Sequence, residues 1–117
     1  MTNLQQIEFF LAEEFADIVS GSTIIEGKIR LFIVDGTYVD LWWSKVFDGR
    51  FSFHWQREEG KLYRLDNIPH KSWEKITSFP YHFHDGSSDN VVVNPFDSRP
   101  SEAIKDFMKF IRMKLGM

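Results

Sequence analysis

Apolar residues at the start of the chain recur at helical spacing. Leu4, Ile7, Leu11, Phe15 and Ile18 fall on one face, Gln5, Glu13, Glu14 and Asp17 fall elsewhere, and Phe9 and Phe10 widen the apolar side. The spacing predicts a helix over residues 3–20, capped by Thr2 or Asn3, each with a glutamine three positions on. Gly21 is expected to end it. From Ser22 the period changes to two. Ile29, Leu31 and Ile33 alternate with Lys28, Arg30 and Phe32, which predicts a strand over residues 23–34. Asp35-Gly36 and Asp48-Gly49 are hairpin signals between alternating segments. They bound a second strand at 37–46, with Val39, Leu41 and Trp43 on one face, and a third at 50–57, with Phe51, Phe53 and Trp55 inward. Glu59-Gly60 turns the chain into a fourth strand, Lys61–Asp66.

A long connection follows from Asn67 to Ser78, in which Pro69 breaks any ladder. Residues 79–84 read as short and extended, Asp85 to Asn90 as a polar loop, and Val91–Val93 as a last buried strand. Ser98 is the expected cap of a closing helix, with Pro100 in its first turn and Ile104, Phe107, Met108, Ile111 and Leu115 as its buried stripe. The expected fold is α+β: an N-terminal helix, an antiparallel meander sheet of five or six strands and a C-terminal helix, in one domain spanning residues 1–117.

Composition fits one aromatic-rich core, at 43% hydrophobic and 16% aromatic residues. Zero cysteines exclude a disulfide framework, a thiolate-ligated zinc and a cysteine nucleophile. No apolar run approaches the roughly 20 residues of a membrane helix, and the first residues lack a secretory pattern. A cytoplasmic protein without membrane contact is expected. The net charge of −3 is unlike that of a generic nucleic-acid binder. The charge is uneven, however: acidic over the first twenty residues, and basic at Lys105, Lys109, Arg112 and Lys114.

The chemistry concentrates between Tyr63 and Gly86, which holds three of the four histidines. His82 and His84 lie two apart on an extended segment, so both imidazoles face one way, as a pair of metal ligands or as an exposed polar face. Arg64, Asp66, Asn67 and His70 supply a phosphate-gripping guanidinium, an orienting carboxylate, an amide and a proton carrier. The plain alternative is that Asp66 and Asn67 cap the turn after the fourth strand while Arg64 pairs with Asp40. His54 and Asp40 fall on the non-core face of neighbouring strands, where they form either an oriented imidazole or a structural polar pair. Tyr38, Trp42, Tyr63, Trp73 and Tyr81 lie off the core stripe, to stack bases or to pack under helices. No glycine-rich phosphate loop or nucleophile elbow occurs.

Four blocks carry a family resemblance: Asp40 to Ser44, Phe51 to Trp55, Tyr63 to His70, and Phe79 to Gly86. Together they resemble the TumE family of toxin–antitoxin systems, over about Ile29 to Leu115. Lys71 stands where that pattern often has a second histidine after Pro69-His70. The resemblance implies a growth-inhibiting toxin neutralised by an antitoxin that carries a helix-turn-helix domain. It assigns no catalytic residues. From the residues themselves, the expected chemistry is a metal-independent ribonuclease without cofactors, with RNA as a further partner. Arg64 would hold the phosphate, His70 with His82 or His84 would act as base and acid, Asp66 would orient an imidazole, and His54 joins this catalytic set. Trp42, Asn67 and Lys71 are expected to bind substrate. Two alternatives stay open: a non-enzymatic protein-binding module, and a metal-binding protein with His82 and His84 as ligands.

Overall fold

The computed structural model describes residues 3–117. The chain begins with α1 (Leu4–Glu14), runs through seven strands, β1 (Val19–Ile25), β2 (Lys28–Ile33), β3 (Tyr38–Trp43), β4 (Phe51–Gln56), β5 (Leu62–Asp66), β6 (His82–Asp85) and β7 (Val91–Val93), and closes with α2 (Pro100–Lys114). The strands pair in chain order, each antiparallel to the next, in one seven-stranded sheet. The architecture is the expected α+β meander, with more strands than the five or six expected.

The extra strand comes from a misread start. Asn3 caps α1 through its side chain, which accepts the Gln6 N–H at 3.1 Å, but the helix ends at Glu14 rather than near residue 20. Thr2, the other candidate cap, lies outside the described residues. Gly21 does not stop a helix. It sits inside β1 at a register irregularity between Val19 and Gly21. The strand expected over 23–34 is two strands, joined at Glu26-Gly27 with φ of 52° and 79°. Two successive positive φ values are the backbone of a tight hairpin turn. Glutamate takes the first of them against its steric preference. At the other end, Arg99 rather than Ser98 occupies the cap position of α2, and it makes no side-chain cap bond.

Alternation then decides what each face holds. Ile29, Leu31, Val39, Leu41, Phe51, Phe53, Trp55, Leu65 and Phe83 are buried on one side of the sheet, beneath α1 and α2. Phe53 lies 4.5 Å from Phe51 and 6.2 Å from Phe107 of α2, centroid to centroid. Tyr63, expected off the core, packs on this side, 5.4 Å from Trp55 and 5.1 Å from Phe110. Tyr81 also packs against this core. Such interdigitated rings are the main favourable term in the fold. On the opposite face, residues one position out of phase align in rows. One row runs Arg30, Asp40, His54, Arg64, His84, and the next runs Lys28, Trp42, Ser52, Asp66, His82.

Candidate functional site

Adjacent strands β5 and β6 bring four polar side chains into a square. Their register sets Arg64 beside His84 and Asp66 beside His82. Residues two apart on a strand share a face, so all four project the same way. The β5–β6 connection, residues 67–81, is far longer than the roughly two to five residues a hairpin needs. It folds back over this face. Its 3-10 turn, Lys71–Trp73, brings Trp73 to 6.3 Å from the His82 ring and 6.4 Å from the His84 ring. Beneath it lies a cavity of about 390 Å³, lined by Arg64, Asp66, His82 and His84 with Ser52, Ile68, His70, Trp73 and Ser88.

Three of the four polar groups are nearly as hidden as the core. His82 and His84 are each 4% exposed and Asp66 is 5% exposed. Burial at that level is tolerated only where hydrogen bonds replace water. Asp66 Oδ1 accepts the Ile68 N–H at 3.1 Å and lies 3.1 Å from His82 Nε2. His82 Nδ1 faces the Pro80 carbonyl at 3.1 Å, and His84 Nδ1 faces the Ser88 carbonyl at 2.9 Å. An Arg64 terminal nitrogen lies 3.4 Å from His84 Nε2. Arg64 Nε is within 3.5 Å of Asp66 Oδ2, but without hydrogen-bond geometry, and is buried without a partner.

These partners favour different proton arrangements on the two rings. Both nitrogens of His82 face oxygen acceptors, an arrangement that favours the doubly protonated, charged ring. His84 Nδ1 faces an acceptor while its Nε2 faces a guanidinium donor, an arrangement that favours the neutral ring with its lone pair on Nε2. The pKa directions agree. Burial opposes charge on His82, but the hydrogen bond and charge of Asp66 outweigh it and raise its pKa. Burial lowers the pKa of His84, helped by the charges of Arg64 and His82, against the Ser88 carbonyl. Two imidazoles with centroids 5.1 Å apart are thus pushed in opposite directions. That is the pattern of a paired acid and base. Asp66, His82 and His84 also offer three ligand atoms within 4.8 Å of one another, enough to hold a metal ion.

The fold therefore gathers Arg64, Asp66, His82 and His84, with His70 in the cavity wall. His70 Nδ1 accepts the Ser72 N–H at 3.2 Å and caps the 3-10 turn. The other expected site residues lie outside the cavity lining. His54 pairs in register with Asp40, but its Nε2 meets Gln56 Oε1 at 2.9 Å, and burial lowers its pKa. The Asp40 carboxylate is taken by Lys28 at 3.1 Å and by Arg30 at 2.8 and 2.9 Å, so neither His54 nor Arg64 pairs with it. Asn67 Oδ1 accepts the Phe51 N–H at 2.8 Å and its Nδ2 donates to Gly49 O at 2.7 Å, pinning the start of β4. Trp42 sits next to Ser52 in its row, and Lys71 is exposed on the connection. Ser52 follows from the register opposite Asp66, whereas nothing local in the sequence marks the Ser88 carbonyl.

A larger cavity, of about 560 Å³, lies between α1, the β3–β4 loop and α2. Its walls include Phe10, Leu11, Trp43 and Ile104, and no histidine enters it. Among the described residues, no helix is long and apolar enough to cross a membrane. A family model described as Toxin TumE matches residues 6–115, nearly the whole chain. No curated protein and no solved structure matches.

Proposed function

The chain belongs to the TumE toxin family, and from that premise we propose that it inhibits growth by cutting RNA, without a metal ion, at the square of Arg64, Asp66, His82 and His84. One observation carries this reading: an imidazole whose two nitrogens both face oxygen acceptors and one whose Nε2 faces a donor sit side by side, next to a guanidinium whose Nε lacks a partner. Arg64 grips the phosphate of an RNA linkage. His84 Nε2 takes the proton of the adjacent 2′-hydroxyl, and the freed oxygen attacks phosphorus. His82, as its Nε2–H turns from Asp66 Oδ1 to the leaving group, passes that proton to the departing 5′-oxygen. The products are a 2′,3′-cyclic phosphate and a 5′-hydroxyl end. Asp66 holds the imidazolium of His82 in place at 3.1 Å. Each proton transfer of this kind contributes about 10²–10⁴-fold. The toxin is held in check in the cytoplasm by a partner antitoxin, which the sequence resemblance suggests carries a helix-turn-helix domain.

The test is incubation of purified protein with single-stranded RNA in excess chelator, followed by end-group analysis. Cleavage is expected for RNA, with cyclic phosphate ends, and is expected to vanish at a linkage lacking its 2′-hydroxyl. Arg64→Ala is expected to be folded and inactive. Cleavage of the 2′-deoxy linkage, or full toxicity in folded Arg64→Ala cells, contradicts the mechanism. Toxicity with no cleavage of any RNA points instead to a protein-binding toxin.

A further inference from the structure

Three neighbouring side chains at this site have a second capacity. We propose that Asp66, His82 and His84 also form a binding site for a divalent ion of the zinc class, for which the ion and the Arg64 guanidinium compete. The donor set is two imidazole nitrogens and one carboxylate. Magnesium and calcium prefer all-oxygen shells, so this set selects a borderline transition ion.

The surroundings are built as such a site requires. A ligating histidine commonly donates its other ring N–H to a carbonyl or carboxylate, which fixes the ring and aims its free lone pair. His82 Nδ1 has the Pro80 carbonyl at 3.1 Å, and His84 Nδ1 has the Ser88 carbonyl at 2.9 Å. Both Nε2 atoms are left turned toward Asp66, whose Oδ1 is anchored by the Ile68 N–H. Ligand atoms around zinc lie about 3.3 Å apart, given bonds of about 2.0–2.1 Å. His82 Nε2 is already 3.1 Å from Asp66 Oδ1, and His84 Nε2 is 4.0 Å from Asp66 Oδ2. All three ligand atoms lie within 4.8 Å of one another, so the remaining closure is at most about 1.5 Å. Three protein ligands leave a fourth position open toward the cavity for water or a phosphate oxygen.

Arg64 opposes the ion. Its guanidinium lies 3.4 Å from His84 Nε2 and 3.5 Å from Asp66 Oδ2. Its side chain is 33% exposed, so it can swing outward as the ion enters. His82 releases its Nε2 proton to solvent as that lone pair takes the metal. Imidazoles used as ligands no longer carry protons, so zinc is expected to silence cleavage. That consequence rests on the ribonuclease reading; the binding does not.

Zinc chloride titrated calorimetrically into chelator-stripped, dialysed full-length protein tests the site without RNA. One ion per chain is expected, with cobalt(II) giving visible bands of a low-coordinate site. Loss of either histidine, in His82→Ala or His84→Ala, is expected to weaken binding by at least about 10-fold. Arg64→Ala, which keeps every ligand, is expected to bind more tightly than the unmodified chain. Absence of stoichiometric binding, binding that survives both histidine substitutions, or weaker binding by folded Arg64→Ala overturns the proposal. Stoichiometric binding to a chain that cuts no RNA upholds the metal site and leaves the ribonuclease reading to fall alone.

Discussion

The two faces of β6 bury their side chains almost equally and for opposite reasons. Phe83, at 2% exposure, points under the helices, while His82 and His84 on either side of it, at 4% each, point to the other face. The phenylalanine is paid for by its own transfer out of water. The histidines are tolerated only because carbonyls, a carboxylate and a guanidinium replace the water they lose. A three-residue stretch thus contributes to stability with its middle member and, in the proposed mechanism, to chemistry with its flanks. Mutations on the two faces should therefore separate stability from activity.

The largest expected effect is on the core face. Phe53→Ala removes a ring packed against Phe51 and Phe107 and is expected to cost about 3–5 kcal/mol in denaturant unfolding. Its toxicity should be lost through loss of folded protein. His84→Ala is expected to invert that result: cleavage falls by about 10²–10⁴-fold, while stability moves by about 1 kcal/mol. Equal stability losses in the two variants would erase the distinction between the faces.

Asn67→Ala sharpens the boundary, since Asn67 lies between the two regions in sequence. Its amide bonds tie down Phe51 and Gly49, so the expected loss is about 1–3 kcal/mol of stability with the cleavage rate per folded molecule unchanged. A changed KM at constant stability would return it to the substrate side. The smallest effect is in pH. In chelator-treated protein the cleavage rate should follow a bell. The limb set by the base lies below 6.5, because the pKa of His84 is lowered from that value. The limb set by the acid lies above 6.5, because the pKa of His82 is raised from it. The rate changes about tenfold per pH unit along each limb.

Much of the sheet is legible because Asp35-Gly36, Asp48-Gly49 and the alternation of residues 37–57 mark turns and faces together. β1 is not. Its residues, Val19–Ile25, alternate poorly, and Ile24 and Ile25 are both exposed at an edge, at 37% and 39%. Glu26-Gly27 also lacks the asparagine or aspartate that usually announces such a turn. At the site, period two places Arg64 with Asp66 and His82 with His84. That the two pairs meet depends on the residue 67–81 connection leaving β5 and β6 as neighbours, which no local pattern states. Asp40 and His54 show the converse. Their register is readable, but β2 supplies Lys28 and Arg30 to the carboxylate first.

The proposed catalysis depends on opposed protonation of two adjacent rings, and nitrogen NMR of the imidazoles reads it directly. In chelator-treated protein near neutral pH, His82 is expected to show two protonated nitrogens and to titrate above 6.5. His84 is expected to show one, on Nδ1, and to titrate below 6.5. Two rings titrating together, or His84 losing its proton at the higher pH, would contradict the acid–base pair.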